Sequence, residues 1–325
     1  MLRIGIPSAL FYYVYYPLWK TYFDELGTQV ITSGKTTRKL MDNGVREALA
    51  DACVPVKVFF GHTMAISDQV DYLFIPRIVC LNKKTVYCPK FLGLPDMIRH
   101  GIPGMPPIID VRVDARERKD SILSAYYQVG KMLGKTSAQI IKALLKAQIK
   151  QFKFQRLLCG GLQPLEAIDN IFNGKHNKPP DNQGQLKFAV VGYPYIIHDQ
   201  YISVAIINKL RKMRINVVTP DNLSPLTVRI QRHASPKRLF WTFSERTLRA
   251  TRYFAGRNDI DGIIHLSAFG CGPDSIVDRF IQLDNYSSTI PFMSLTVDEH
   301  SGEAGVSTRL EAFVDMVKRK RRDIT

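Results

Sequence analysis

The run Pro76-Arg-Ile-Val-Cys80-Leu-Asn-Lys-Lys-Thr-Val-Tyr-Cys88-Pro-Lys-Phe-Leu-Gly-Leu-Pro-Asp96 follows an apolar stretch, Val70 to Ile75, that reads as a buried strand. Its cysteines therefore fall where a strand gives way to a loop, which is where ligands bind in open α/β sheets. Two further cysteines stand in matching positions. One is Cys53 in Asp-Ala-Cys-Val-Pro-Val-Lys57, and the other is Cys271, which follows the strand Gly262 to Ser267 in Ala-Phe-Gly-Cys-Gly-Pro-Asp-Ser. Cys53, Cys88 and Cys271 each precede a proline by one or two residues at a loop-to-helix junction. They read as thiolate ligands converging on one metal centre.

Working outward, apolar runs alternate with helical patterns on both sides of this stretch. Leu2 to Pro7, Gln29 to Thr32 and Val70 to Ile75 read as strands, and one more short strand lies within Gly101 to Asp110. Ser8 is placed to cap a helix that Gly27 stops, and Cys53-Val-Pro55 breaks the helical run from Asp42 to Phe60. From Asp114 to about Asn173 apolar residues recur only with a helical period, and the polar, turn-rich passage Asn173 to Gly184 reads as a linker. Strands then resume at Leu186 to Gly192, Ile215 to Thr219, Gly262 to Ser267 and Pro291 to Val297. Helices are expected at 203–213, 240–255, 273–283 and 307–320. Phe188-Ala-Val-Val-Gly-Tyr-Pro echoes Leu2-Arg-Ile-Gly-Ile-Pro, which suggests two similar halves. The expected fold is α/β, with two similar lobes on parallel sheets joined by a helical segment. The divisions fall at 1–112, 113–184 and 185–325.

Composition narrows the function classes. With 325 residues, 45% of them hydrophobic and 23% charged, the chain is an ordinary globular one. No apolar run reaches membrane-spanning length and the first residues already form a strand, so a soluble cytoplasmic protein is expected. A net charge of +16 raises the question of nucleic acid. Residues 111–180 hold thirteen Lys or Arg against five Asp or Glu, yet the cations are dispersed and no recognition helix, zinc finger or RNA-binding signature accompanies them. They read as a solvated face, suited to an anionic protein or a phosphate-bearing ligand. Gly34-Lys-Thr-Thr lacks the first glycine of a phosphate-binding loop, since Gln29 stands there. The aromatic stripe of residues 11–23 reads as core.

Five cysteines form no disulfide framework. For Cys80 and Cys159 a plain buried thiol is the competing reading. Soft thiolates with few histidines favour iron–sulfur or zinc, and the chain lacks the paired Cys-x2-Cys spacing of structural zinc sites. Thiolates scattered over distant loops suit a cluster gripped between lobes, with helices starting at Pro55 and Pro273 offering N–H groups to it. Three ligands would leave one iron open. Lys57 and Lys90 would balance cluster charge or bind coenzyme A phosphate, and Asp274 and His62 border the same loops. Glu299, His300 and Glu303 would carry protons, the bland alternative being helix capping and second-shell packing. A structural zinc remains open at this point.

Five blocks carry a resemblance: Ala52-Cys-Val-Pro-Val-Lys-Val-Phe-Phe-Gly-His62, Pro76-Arg-Ile-Val79, Cys88-Pro-Lys-Phe-Leu-Gly-Leu-Pro-Asp96, Phe269-Gly-Cys-Gly-Pro-Asp-Ser275 and Leu295-Thr-Val-Asp-Glu-His-Ser-Gly-Glu-Ala-Gly305. In these, nearly along its whole length, the chain resembles the acyl-CoA dehydratase activase-related proteins. That family is similar to component D of the 2-hydroxyacyl-CoA dehydratases and to benzoyl-CoA reductase subunits. The resemblance implies two Rossmann-like lobes around a 4Fe–4S cluster held by Cys53, Cys88 and Cys271, and a partner, an ATP-hydrolysing iron–sulfur activator that injects a low-potential electron. This chain lacks ATP-binding motifs, so it is expected to receive the electron and pass it to a bound acceptor, an acyl-CoA in the enzyme reading. The alternative is a non-catalytic accessory protein that docks an activator. Cys80 has no assigned place in the family pattern; as a fourth ligand it would close the open iron and speak against substrate catalysis. A double-cubane cluster would need more cysteines than one chain supplies and hence a dimer, homo- or hetero-oligomeric.

Overall fold

A computed structural model describes residues 1–179, 184, 186–230, 238–285 and 290–322. The first part holds β1 (Arg3–Ile6), α1 (Tyr12–Glu25), β2 (Gln29–Thr32), α2 (Arg38–Glu47), α3 (Val54–Ile66), β3 (Tyr72–Phe74), β4 (Arg77–Cys80), α4 (Pro89–Gly101), β5 (Ile108–Ile109) and β6 (Arg112–Asp114). Three helices follow: α5 (Ile122–Met132), α6 (Ser137–Cys159) and α7 (Pro164–Phe172). The last part holds β7 (Leu186–Gly192), α8 (Pro194–Ile197), α9 (Ile206–Lys212), β8 (Ile215–Val218), α10 (Pro225–Ile230), α11 (Thr242–Ala255), β9 (Gly262–Ala268), α12 (Gly272–Asn285), β10 (Phe292–Val297) and α13 (Glu303–Arg322). Of the expected linker, residues 180–183 lie outside the described residues.

The two main sheets are parallel and share one plan. Their orders are β2-β1-β3-β5 and β8-β7-β9-β10, so in each the opening strand sits between the second and third. The sequence echo around β1 and β7 therefore marks a repeated topology, and the expected fold class is observed. In a parallel α/β unit the helix N-termini gather at the carboxyl edge of the strands, which brings the loops of interest to one edge of each sheet. One continuous apolar cluster runs from Ile4 and Phe23 through Val129 and Phe154 to Phe188 and Leu266.

Three local features set the positions of the candidate ligands. First, α2 and α3 touch backbone to backbone. A Cβ on Gly44 would lie 1.9 Å from the Lys57 carbonyl oxygen, and one on Gly61 equally close to that of Leu40. Second, Arg77 on β4 donates to Asp96 on α4 (2.6 Å) and to Asp110 (2.5 Å), which fixes the helix that Cys88 opens. Third, Val86 bridges to Trp241 across the two halves, the Thr242 N–H donating to the Val86 carbonyl (2.7 Å).

Two sequence expectations need correction. Ser8 does not cap α1, which starts at Tyr12 with Phe11 in the cap position and no side-chain cap bond. The chain first turns through Leu10 at φ +54°, and the Ser8 N–H is taken by the Ser33 hydroxyl (2.9 Å). The passage after Ile75 is also not all loop. Residues 77–80 pair with β6 in a separate two-stranded sheet, so Cys80 lies within a strand at a register shift.

Candidate metal centre

Each of the three cysteines opens a helix. Cys53 is the cap residue of α3 and Cys88 that of α4, both without a side-chain cap bond, and Cys271 immediately precedes α12. Proline suits the first turn because the N–H it lacks would have no intrahelical partner there. The first-turn backbone N–H groups of Val56, Lys90 and Asp274 partly offset the rise that burial causes in the thiols of Cys53, Cys88 and Cys271. Three positive helix ends thus face three soft donors.

The three thiols lie close enough to sense one another's charge. Burial raises the Cys271 thiol well above its ordinary range, and Asp274, Cys53 and Cys88 push it the same way. Burial also raises Cys53 and Cys88, while the Lys90 ammonium pulls both back. Gly270, at φ +75°, brings the second half against the first, since a Cβ on it would stand 3.7 Å from Cys53 Cα. Fully buried Tyr195 feels all three sulfurs. With Phe91, Tyr193 and Phe243 it forms an aromatic wall with ring centroids 5.6–5.9 Å apart. Phe243 also lines a cavity of about 590 Å³ with Tyr87, Thr85, Lys84 and Arg246.

Among the described residues no three His, Cys, Asp or Glu side chains are set to grip a single metal ion. A lone zinc would need all its sulfurs about 2.3 Å from one point. A cluster instead spreads its thiolates over separate irons, which suits donors that sense each other across a gap. The chemistry of this donor set fits that group.

The other expected site residues divide. Asp274 is fully buried beside Cys271, and its carboxylate oxygens have no hydrogen-bond donor, the nearest cation being His265 Nε2 at 3.4 Å. Lys57 is buried on α3 and paired with Glu299. Lys90 reaches the Asp51 carbonyl (3.4 Å). His300 is exposed, and Glu303 is an exposed partner of Lys209 (2.5 Å). His62 belongs to a different network. Its ring bonds Thr36 (2.8 Å) and Ser33 (2.7 Å), and Thr36 donates to Asp199, which Tyr13 also meets (3.2 Å). Cys80 is buried in β4, and exposed Cys159 lines the 590 Å³ cavity.

The pair His265–Asp278 (2.8 Å), directly behind Cys271, was not singled out from sequence. Its one signal is a histidine inside Gly262-Ile-Ile-His-Leu-Ser, a strand with every residue buried. The aromatic wall likewise carries no spacing signal, because its members come from α4, α11 and the start of α8.

Residues 3–223 match the family described as CoA enzyme activase uncharacterised domain, which is more than half of the chain. The chain belongs to that family. Membership bears out the resemblance to acyl-CoA dehydratase activase-related proteins at family level and points to a role connected with dehydratase activation. The match includes Cys53 and Cys88 and ends before Cys271. No curated protein matches the chain. Among the described residues, no helix of this family member is long and apolar enough to cross a membrane.

Proposed function

We propose that Cys53, Cys88 and Cys271 hold an iron–sulfur cluster of the 4Fe–4S type. In this reading the chain, resembling a component D, accepts one electron from an ATP-hydrolysing iron–sulfur activator and passes one electron to a bound acceptor such as an acyl-CoA. The observation that carries this reading is the meeting of three proline-flanked thiols at three helix N-termini, two from the first half and one from the second. When bound, such a cluster supplies one-electron transfer at low potential. The chain's residues would serve the site in two ways: the backbone N–H groups of Val56, Lys90 and Asp274 and the Lys90 ammonium favour the thiolates, and the Tyr195–Phe91 pair walls one side of it.

A second reading, a cluster-bearing accessory protein that docks an activator without substrate chemistry, draws on one observation. Of the expected proton carriers, Glu299 is tied to Lys57 and Glu303 to Lys209, and His300 faces solvent. Activator-dependent reduction followed by turnover of a 2-hydroxyacyl-CoA divides the two readings.

The test of the common premise is anaerobic reconstitution with ferrous iron and sulfide. Iron and acid-labile sulfide are then measured together with the electron paramagnetic resonance spectrum of the reduced protein. Serine at position 53, 88 or 271 is expected to abolish the cluster, whereas Cys159→Ser retains it. Full iron in any of the first three variants removes that residue from the ligand set, and a wild-type protein that takes up no iron ends the proposal.

A further inference from the structure

Helix α6 has two apolar faces. Ile140, Ala143, Leu144, Ala147, Phe154 and Leu158 are buried, mostly against α1 and α5. On the other side Ile141, Leu145, Ile149 and Phe152 are 52, 57, 69 and 62% exposed. Their spacing of four, four and three residues stacks them in one stripe. At 100° per residue the stripe lies roughly 150° from the buried face and runs for about 17 Å. A surface helix needs one apolar stripe to hold its place, so the second has no task within the chain. Tyr127, whose hydroxyl meets Ser137 (2.7 Å) at the start of α6, and Leu123 extend the stripe along α5.

The charges beside the stripe are of one sign. Helix α6 carries Lys142, Lys146, Lys150, Lys153 and Arg156 and no acidic residue. By helical angle the four lysines follow one edge of the stripe and Gln148 and Gln155 the other. Lys146 pairs with Glu25 (2.8 Å), while among the described residues Lys142, Lys150 and Lys153 have no carboxylate partner.

From the exposed stripe and its one-sided lysine row we infer that the outer face of α6 docks an amphipathic helix of a partner protein, whose apolar ridge is flanked by Asp and Glu. Charge complementarity selects this occupant. A second copy of the chain would bring α6 against an equally acid-free helix, leaving a doubled lysine row without counter-charge. A helix lying in a lipid surface gains from cations along both borders of its apolar face, whereas here one border holds Gln148 and Gln155; between paired helices, one-sided edge charges set partner and direction. The inference stands apart from the cysteine site and holds whether or not iron is bound there.

The test uses the full chain and a labelled acidic peptide of about 20 residues, long enough to hold a helix, with Leu along one face and Glu beside it. Fluorescence anisotropy is expected to show binding that weakens as salt rises. Leu145→Glu combined with Ile149→Glu should weaken it at least tenfold, and a peptide with the same Leu face flanked by Lys should not bind. These positions are exposed, so the melting temperature should hold. Should it fall, Lys142→Glu with Lys153→Glu, which leaves the stripe intact, carries the test and is expected to give the same loss. Equal binding of both peptides, or no effect of either pair of substitutions, overturns the inference. So does self-association in sedimentation, or binding to phosphatidylserine vesicles, that the Leu145/Ile149 pair abolishes.

Discussion

The two halves repeat one strand order, and each encloses a histidine with no exposed surface, yet the two histidines are held in opposite charge states. In the first half His62 sits among hydroxyls. Burial lowers its pKa to about 4, and Thr36 and Ser33 satisfy both ring nitrogens of a neutral imidazole. In the second half burial pulls His265 down as well, but the nearby carboxylates of Asp274 and Asp278, the latter hydrogen-bonded to the ring, outweigh it and raise the pKa to about 9. Burial alone therefore does not decide protonation. The partners do, and the same scaffold places a neutral ring on α3 and a buried cation behind Cys271.

The comparison breaks most severely at His265. Replacing it with Gln leaves fully buried Asp274 without its cation and takes the ring from part-buried Asp278. The expected cost is about 3–5 kcal/mol in urea unfolding, against about 1–2 kcal/mol for His62→Gln, which loses only neutral hydrogen bonds. Equal costs would mean that the two rings share one charge state.

The pH dependence sharpens the contrast because the two signs differ. His62 has a folded pKa below its unfolded value, so its contribution is complete above about pH 6.5 and is lost as the pH falls towards 4. His265 has a folded pKa above its unfolded value, so its contribution is complete below about pH 6.5 and is lost as the pH rises through 9. Each limb amounts to about 3 kcal/mol. Stability measured by denaturant at successive pH values should flatten on the acid side in His62→Gln and on the alkaline side in His265→Gln.

A smaller effect is expected at α3, which carries both Cys53 and His62. Gly61→Ala drives a methyl into the Leu40 carbonyl and should cost about 1–3 kcal/mol, with a lower melting temperature and no change in helix content. The smallest belongs to Thr36→Val, which removes the hydroxyl between His62 and Asp199. A loss of about 1–2 kcal/mol in chemical unfolding is expected, and no loss would mean that water replaces that hydroxyl.

Much of the fold was legible because its central strands are buried on both sides. Leu186 to Gly192, apolar but for Lys187, forms β7 with those limits. The helices of residues 114–173 were legible from their period. Residues 77–80 were missed as a strand because four residues pairing with a partner more than 30 positions away leave no local pattern. Ser8 misled because a serine before an apolar helix looks the same whether its hydroxyl caps the helix or its N–H meets Ser33. In the site, proline after cysteine marked the three helix starts, since that pairing has a local steric cause. His265 left no comparable mark, because its carboxylates come from the next helix and nothing near it in sequence announces them.

Gly270 has a wider consequence. It is where the later half rests on Cys53, and Cys271 follows it directly, while Cys53 and Cys88 ride on the earlier half. A parting of the halves by a few ångströms would carry one sulfur away from the other two. A group held by all three sulfurs would act as a rivet, and its release would be felt first as slackening along the seam between Val86 and Trp241.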